Sequence, residues 1–311
     1  MDQPTPTDQP YHEPVMVDEV LHWLAPAAEG WILDGTFGGG GHSRAILRRF
    51  PLARVVAVDR DPDALGQANA DDRLTVVEGN YRNLGDILDG GPSSGRINGI
   101  LLDLGVSSHQ LDDAGRGFSY HAAGPVDMRM GPDAGRSAAE LIADASVDEL
   151  TDILRRYGEE RFARRIAVAI VDERPFTSTA ELADCVARAV PAAARRRKHP
   201  ARRTFQALRI AVNDELGGLA DALDAGIERL EPGGRFIVIA YHSLEDRIVK
   251  QAFAERARGC TCPPDLPVCA CGADPDLVIL SRKAIKPTPD EVAANPRARS
   301  ALMRVAERRA A

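Results

Sequence analysis

Three aspartates, Asp34, Asp59 and Asp103, each close a short apolar run, and a glycine-rich stretch, 35–41, follows the first. In open α/β sheets, ligands bind at the carboxyl ends of the strands, where such residues would stand. Both oxygens of a carboxylate accept hydrogen bonds, so it suits a vicinal diol. Asp59 comes 25 residues after Asp34, near the place where an acid takes ribose hydroxyls in dinucleotide folds. Glycines between the two permit positive φ and a close approach of ligand to backbone. A nicotinamide dinucleotide brings an anionic pyrophosphate and favours G-x-G-x-x-G at a helix N-terminus. The loop Asp34-Gly-Thr-Phe-Gly-Gly-Gly-Gly-His42 fits that only loosely. S-adenosylmethionine has no phosphate and carries a sulfonium cation, which acids attract. The set therefore favours S-adenosylmethionine, with a dehydrogenase as the rival reading.

The elements that must position these residues follow from hydrophobic pattern. Val17–Leu24 reads as a short amphipathic helix, and 31–34, 55–59, 74–77, 100–103 and 236–240 as buried strands, with 278–280 as a last edge strand. Helical segments between them predict βαβ units and a parallel sheet. From 110 to 208 the pattern changes to helices without a strand, with capping signatures Ser146-x-x-Glu149 and Ser178-x-x-Glu181. Apolar residues from Phe205 to Leu230 step by 3 or 4 and predict one long helix, bent at Gly217-Gly218. Ser243-x-x-Asp246 is expected to cap the helix after the fifth strand. The predicted architecture is a doubly wound α/β domain, 1–109 with 209–311, split by an all-helical insert, 110–208.

Composition sets the class. Of 311 residues 44% are hydrophobic and 27% charged, as in an ordinary globular protein. The longest apolar runs, 166–171 and 236–241, are far short of the roughly 18–20 residues of a membrane span. The N-terminal segment has neither a basic region nor an apolar core, so a cytoplasmic location is expected. The net charge of −7 is unevenly spread. Residues 155–209 hold 14 Lys/Arg against 6 Asp/Glu, and 282–311 hold 8 against 3. Such basic surfaces on an acidic body steer toward polyphosphate, although solvated helix faces would give the same count. Arg195, Arg196, Arg197, Lys198, Arg202 and Arg203 form the densest stretch, and Arg297 and Arg299 lie near the chain end. Phe118 and Tyr120 are candidates for stacking on a base. Cys260, Cys262, Cys269 and Cys271 are four thiols within 12 residues, a set that can close a tetrahedral zinc site or remain reduced in a Pro-rich loop. Cys185 stands alone.

With these residues in view, the chain resembles the bacterial 16S ribosomal RNA cytosine-N4 methyltransferases over nearly its whole length. The resemblance rests on His12-Glu-Pro-Val15, the 34–43 loop, Val58-Asp-Arg-Asp-Pro62, Leu101-Leu-Asp-Leu-Gly-Val-Ser-Ser108, Gln110-Leu-Asp-Asp113, Arg116-Gly-Phe-Ser119 and Asp127-Met-Arg-Met130. It continues in Tyr157-Gly-Glu-Glu-Arg-Phe162, Lys198-His-Pro200, Arg203-Thr-Phe-Gln206, 242–250 and Asn295-Pro-Arg-Ala-Arg-Ser300. It implies a Rossmann-like class I S-adenosylmethionine-dependent methyltransferase with an inserted helical domain for RNA recognition. The implied reaction is methylation of N4 of a cytidine, position 1402 in the usual rRNA numbering, in the small ribosomal subunit. By motif, the S-adenosylmethionine contacts fall on Gly40, Gly41, His42, Asp59, Tyr81, Asp103 and Gln110; Tyr81 stands where Phe is expected, and keeps the aromatic ring.

The cytosine amine is a poor nucleophile, so positioning and a proton acceptor must carry the reaction. Asp103 is the first catalytic candidate, with His242 and Glu245 next; a helix cap is the other reading of the latter two. The target base must be unstacked to reach the methyl group. The sequence leaves open a methyltransferase acting on another RNA or DNA amine, a non-catalytic S-adenosylmethionine-binding assembly factor, and whether two copies associate.

Overall fold

Five of the apolar runs lie side by side as parallel strands, and the computed structural model shows what completes them. It describes residues 14–194, 199–259, 262 and 274–310. The chain divides into two compact units, Met1–Gly105 with Leu216–Ala311, and Val106–Glu215. The expected boundaries at 110 and 208 both move outward. Val106 already packs on the helical core, and residue 208 falls inside a helix that runs to Asn213.

The first unit carries β1 (Trp31–Asp34), β2 (Arg54–Asp59), β3 (Leu74–Glu78), β4 (Ile97–Asp103), β5 (Leu230–Ala240), β6 (Leu277–Ile279) and β7 (Leu302–Arg308). Their order is β3-β2-β1-β4-β5-β7-β6. β1 to β5 pair in parallel, and β7 pairs antiparallel with β5 and β6. This is the doubly wound order 3-2-1-4-5 with an antiparallel hairpin at one edge, and the strand order reverses between β1 and β4. Helices α1 (Val17–Leu24), α2 (Gly41–Arg49), α3 (Pro62–Leu65) and α4 (Leu84–Asp89) accompany the first half of the sheet. Apolar side chains bury on both faces: Ile32, Val55, Leu101 and Ile237 on one, Leu33, Val56, Ile100 and Val238 on the other. Strands covered on both faces read as continuous apolar runs, which is why β1, β2 and the end of β4 stand out in the sequence.

The second unit is helical: α5 (Ser108–Asp112), α6 (Ala138–Asp144), α7 (Val147–Gly158), α8 (Ala163–Glu173), α9 (Thr179–Ala189) and α10 (Arg202–Asn213). Ser146 and Glu149 form the expected capping box of α7, and Ser178 caps α9. Glu159 takes a left-handed conformation (φ 47°) that ends α7, and α8 starts at Ala163. Leu150, Leu154, Ile166, Ile170, Leu182, Val186 and Leu208 fill the core together with Phe118 and Cys185. Phe118 is therefore a core residue and not a stacking surface.

Three expectations are corrected. The single helix over 205–230 is two, α10 and α11 (Leu219–Arg229), because Asp214 turns left-handed (φ 48°) where the chain passes from one unit to the other. α12 (Ser243–Arg258) is capped by His242 with Glu245, one residue before the Ser243-x-x-Asp246 pattern; Asp246 instead binds Arg304 at 2.6 and 3.0 Å. β7 is an addition to the expected strands. It follows α13 (Pro289–Ala294) and a 3-10 turn, Pro296–Ser300, and separates β5 from the edge strand β6.

Candidate active site

The register of three strands makes the site. β1 stops at Asp34, which pairs with Ala57 on β2 and Leu101 on β4. Both neighbours run two residues further, to Asp59 and Asp103. A notch thus opens above the end of β1, at the reversal of strand order. Two strand spacings make it about 10 Å wide. Asp59 and Asp103 stand at the same height on its two sides.

The loop after β1 lines this notch. Gly35 N–H donates to Leu101 O and Phe37 N–H to Val58 O, both at 2.9 Å, so the loop is tied to both flanking strands. Gly38 and Gly40 have φ of 59° and 74°, and Gly40 is the N-cap of α2 with no side-chain cap of its own. Asp34 does not face a ligand. It is fully buried and accepts the Thr36 N–H at 3.3 Å and the Ser43 hydroxyl at 2.7 Å, fastening α2 to β1. Burial raises its pKa.

Asp59 Oδ2 accepts the Gly38 N–H at 2.7 Å and Oδ1 the Asp61 N–H at 2.9 Å. Burial pushes its pKa up to about 6 against the pull of those amides. Each oxygen has a second lone pair, so the pair can still take a ribose diol. On the other side, Asp103 Oδ1 accepts the Tyr241 hydroxyl at 2.9 Å, and Oδ2 lies 3.8 Å from His42 Nδ1. Burial raises Asp103 to about 6 as well, opposed by His42 and the Tyr241 hydrogen bond. His42 Nε2 is 2.9 Å from Val15 O. A carbonyl only accepts, so Nε2 carries the hydrogen and Nδ1 faces Asp103.

Of the residues expected from the sequence, the structure groups Gly40, Gly41, His42, Asp59, Tyr81 and Asp103 around this loop. Tyr81 opens a 3-10 turn after β3, and a Cβ placed on Gly35 would lie 3.7 Å from its own. Gln110 belongs to the helical unit, where it is buried and forms a capping box with Ser107 at the start of α5. His242 and Glu245 form the cap of α12; Glu245 Oε2 accepts the Tyr241 N–H at 2.8 Å and the His242 N–H at 3.3 Å. Two participants are not among the site residues expected from the sequence. Thr36 accepts the Asp103 N–H at 2.7 Å, and Tyr241 holds the Asp103 carboxylate. Tyr241 directly follows β5, the same strand-end position that singles out the aspartates.

Comparison with known proteins supplies the class. A profile described as the MraW methylase family matches residues 9–309. The chain belongs to the MraW methylase family. Two curated members of similar sequence carry the name ribosomal RNA small subunit methyltransferase H. One, from Heliobacterium modesticaldum, is 53% identical over 96% of this chain and 98% of its own length. The other, from Symbiobacterium thermophilum, is 48% identical over 94% and 95%. The donor set of this methylase suits a cationic methyl donor. Neither half-buried carboxylate has an arginine or lysine at hydrogen-bond distance among the described residues. Such a pair would repel a diphosphate and attract a sulfonium or an ammonium group.

The expected RNA contacts are spread over both units. Arg202 and Arg203 are exposed at the start of α10, where the Arg203 guanidinium donates to Glu159 O at 3.1 Å. Arg297 and Arg299 are exposed on the 3-10 turn before β7. Arg195, Arg196, Arg197 and Lys198 lie outside the described residues, as do Cys260, Cys269 and Cys271 of the cysteine cluster; Cys262 is half-buried. The basic count of 282–311 is partly neutralised. Arg304 is bound to Asp246, and Arg308 lies 3.0 Å from Asp276.

Proposed function

We propose that this methylase transfers a methyl group from S-adenosylmethionine to N4 of a cytidine in 16S rRNA of the small ribosomal subunit. Family membership supports the reaction class. The single structural observation that carries the donor is the notch between Asp59 and Asp103, floored by glycine backbone at the strand reversal. Asp59 takes the ribose hydroxyls, the loop through Gly40, Gly41 and His42 takes the amino-acid end, and Tyr81 completes the set within this unit. Bound there, the donor supplies an electrophilic methyl group on sulfur.

The chain's residues do the rest. Methyl transfer to N4 would leave the carbon–sulfur electron pair with the donor's sulfur. N4 then holds one hydrogen too many. Asp103, ionised above its pKa of about 6, orients the amine through its N–H and receives that proton. Tyr241 and Thr36 fix its carboxylate and its backbone. The helical unit holds the RNA through its arginines in the cytoplasm, where ribosomal subunits are found, and delivers an unstacked base.

The test is mass spectrometry of 16S rRNA from cells with and without the protein, followed by transfer of labelled methyl from S-adenosylmethionine to purified small subunits and to naked 16S rRNA. Appearance of N4-methylcytidine only when the protein is present supports the reading. Identical nucleoside spectra in its presence and absence overturn it. Label on another base, on DNA or on protein would move the substrate and leave the donor site standing.

A further inference from the structure

We infer that Tyr120 and His199, in the helical unit, form a stacking platform for an unpaired base that neighbours the target in single-stranded RNA. The inference rests on the RNA methyltransferase reading above and adds a site for the flanking nucleotide.

The two rings come from distant parts of the chain. Tyr120 follows the core residue Phe118, and His199 comes just before α10. Their centroids are 4.7 Å apart with planes at 19°, a stacked pair. Phe205, buried on α10, meets Tyr120 edge-on at 5.7 Å and 78°, which anchors the tyrosine to the core. His121 closes the cluster, 4.3 Å from Tyr120 and 5.5 Å from His199. Tyr120 is half-buried, whereas His121 and His199 are exposed. A stack that starts in the core and ends in an exposed ring has one more place in it, on the outer side of His199. Fixed aromatic surface of this kind holds bases without reading their sequence, because every base has a π-face.

Two further observations fit a base and not a metal or an acidic partner. The Ala201 N–H donates to His199 Nδ1 at 3.3 Å, which places the ring hydrogen on Nε2 and fixes the ring plane. Burial and the neighbouring His121 lower the His199 pKa, opposed by Asp184, so the ring is neutral at pH 7 and stacks as an uncharged imidazole. The surroundings are basic in sequence. Arg195, Arg196, Arg197 and Lys198 precede His199, and Arg202 and Arg203 follow it. Alternation of aromatic stacking with phosphate-binding cations is the composition of single-strand RNA grips.

The experiment measures binding of full-length protein, loaded with S-adenosylhomocysteine, to small subunits and to a single-stranded rRNA fragment, by filter retention and fluorescence anisotropy. Variants are His199→Ala, His199→Phe and His199→Gln. Stacking is expected to make His199→Ala and His199→Gln bind the fragment on the order of tenfold more weakly, and His199→Phe as well as the natural residue. Thermal unfolding and S-adenosylhomocysteine affinity should be the same in all four proteins, since His199 is exposed and is not among the residues proposed to hold the donor. A fragment carrying 2-aminopurine beside the target should lose fluorescence on binding the natural and the Phe protein only. If His199→Ala binds RNA as tightly as the natural protein, the platform is wrong while the methyl-transfer reading stands. If His199→Gln is as good as Phe, a hydrogen bond and not stacking holds the RNA, and the platform is again wrong. If the natural protein transfers no methyl group to any 16S rRNA, the reading beneath it fails, and the platform with it.

Discussion

The Tyr241 hydroxyl donates to Asp103 Oδ1 across 2.9 Å, tying the last residue of β4 to the first residue past β5. The bond favours the ionised carboxylate, against the burial that raises Asp103 to about 6. Tyr241→Phe deletes only the donor. The Asp103 pKa should then rise further, so the ionised form is lost at higher pH. Donor affinity measured by calorimetry from pH 5.5 to 8.5 should fall off on the acid side at a higher pH in the variant. An acid limb that stays in place would show that Asp103 does not contact the donor.

The two raised carboxylates also link donor binding to stability. Asp59 and Asp103 have folded pKa values of about 6, above the ordinary aspartate value of 3.8. The folded state therefore holds protons that the unfolded chain releases. The stability these groups contribute is fully present below pH 3.8 and is lost as pH rises through about 6. A bound sulfonium favours their ionised form and offsets that loss. S-adenosylmethionine should raise the melting temperature more at pH 7.5 than at pH 5.5. S-adenosylhomocysteine, which lacks the sulfonium charge, should show a smaller difference between the two pH values. Equal shifts at both pH values would separate the acids from the donor's charge.

What can be read from residue order is what repeats locally. β1 and α1 match their expected bounds, since their apolar runs are short, buried and bounded by Gly30 and Pro26. The acids are legible as strand ends, but not their division of labour. Asp34 is consumed by the Thr36 amide and the Ser43 hydroxyl, contacts that need the fold. β7 is obscured because Arg304 and Arg308 count as charge, while Met303, Val305 and Ala306 are buried. The ion partners, Asp246 and Asp276, lie 58 and 32 residues away. The split between α10 and α11 is hidden because both helices bury an apolar stripe, so spacing by 3 or 4 continues across the break although the cores they fill are different.

Gly40→Ala tests the loop. At φ 74° an added Cβ would sit 2.7 Å from the Phe37 ring, and a left-handed residue costs roughly 1–2 kcal/mol. Stability should drop by about that amount, and donor affinity should fall as the N-cap of α2 shifts. Gly66→Ala is the control, because its φ is −62° and its nearest contact is 3.5 Å. It should be close to neutral in urea melts and in donor titration. Similar losses in both would mean that any alanine in this unit disturbs the fold.

Charge removal at Arg195, Arg196, Arg197 and Lys198 should weaken RNA binding and flatten its salt dependence. For single strands, the log–log slope should fall by roughly 0.7 for each phosphate that is no longer neutralised. Donor affinity should not change. Binding isotherms for the fragment between low and moderate salt measure both quantities. An unchanged slope would place the phosphates elsewhere, with Arg202 and Arg203 the next residues to replace.

His242 and Glu245 form the cap at the start of α12, and a variant that keeps the cap separates that role from a part in the chemistry. Glu245 is buried and accepts the amides of Tyr241 and His242, while its own amide donates to His242 Nδ1 at 3.4 Å. This reciprocal box fixes the start of α12 and, one residue earlier, the tyrosine that holds Asp103. Loss of an N-cap costs about 0.5–2 kcal/mol, so His242→Ala should lower stability by that order. Asparagine is among the preferred caps. His242→Asn should recover most of the stability and, with it, the turnover at saturating donor and RNA. Asparagine cannot take up a proton at neutral pH as imidazole does. A stable, donor-binding His242→Asn protein with methyl transfer reduced more than a hundredfold would therefore assign His242 to the chemistry, whereas near-normal turnover leaves Asp103 as the acceptor.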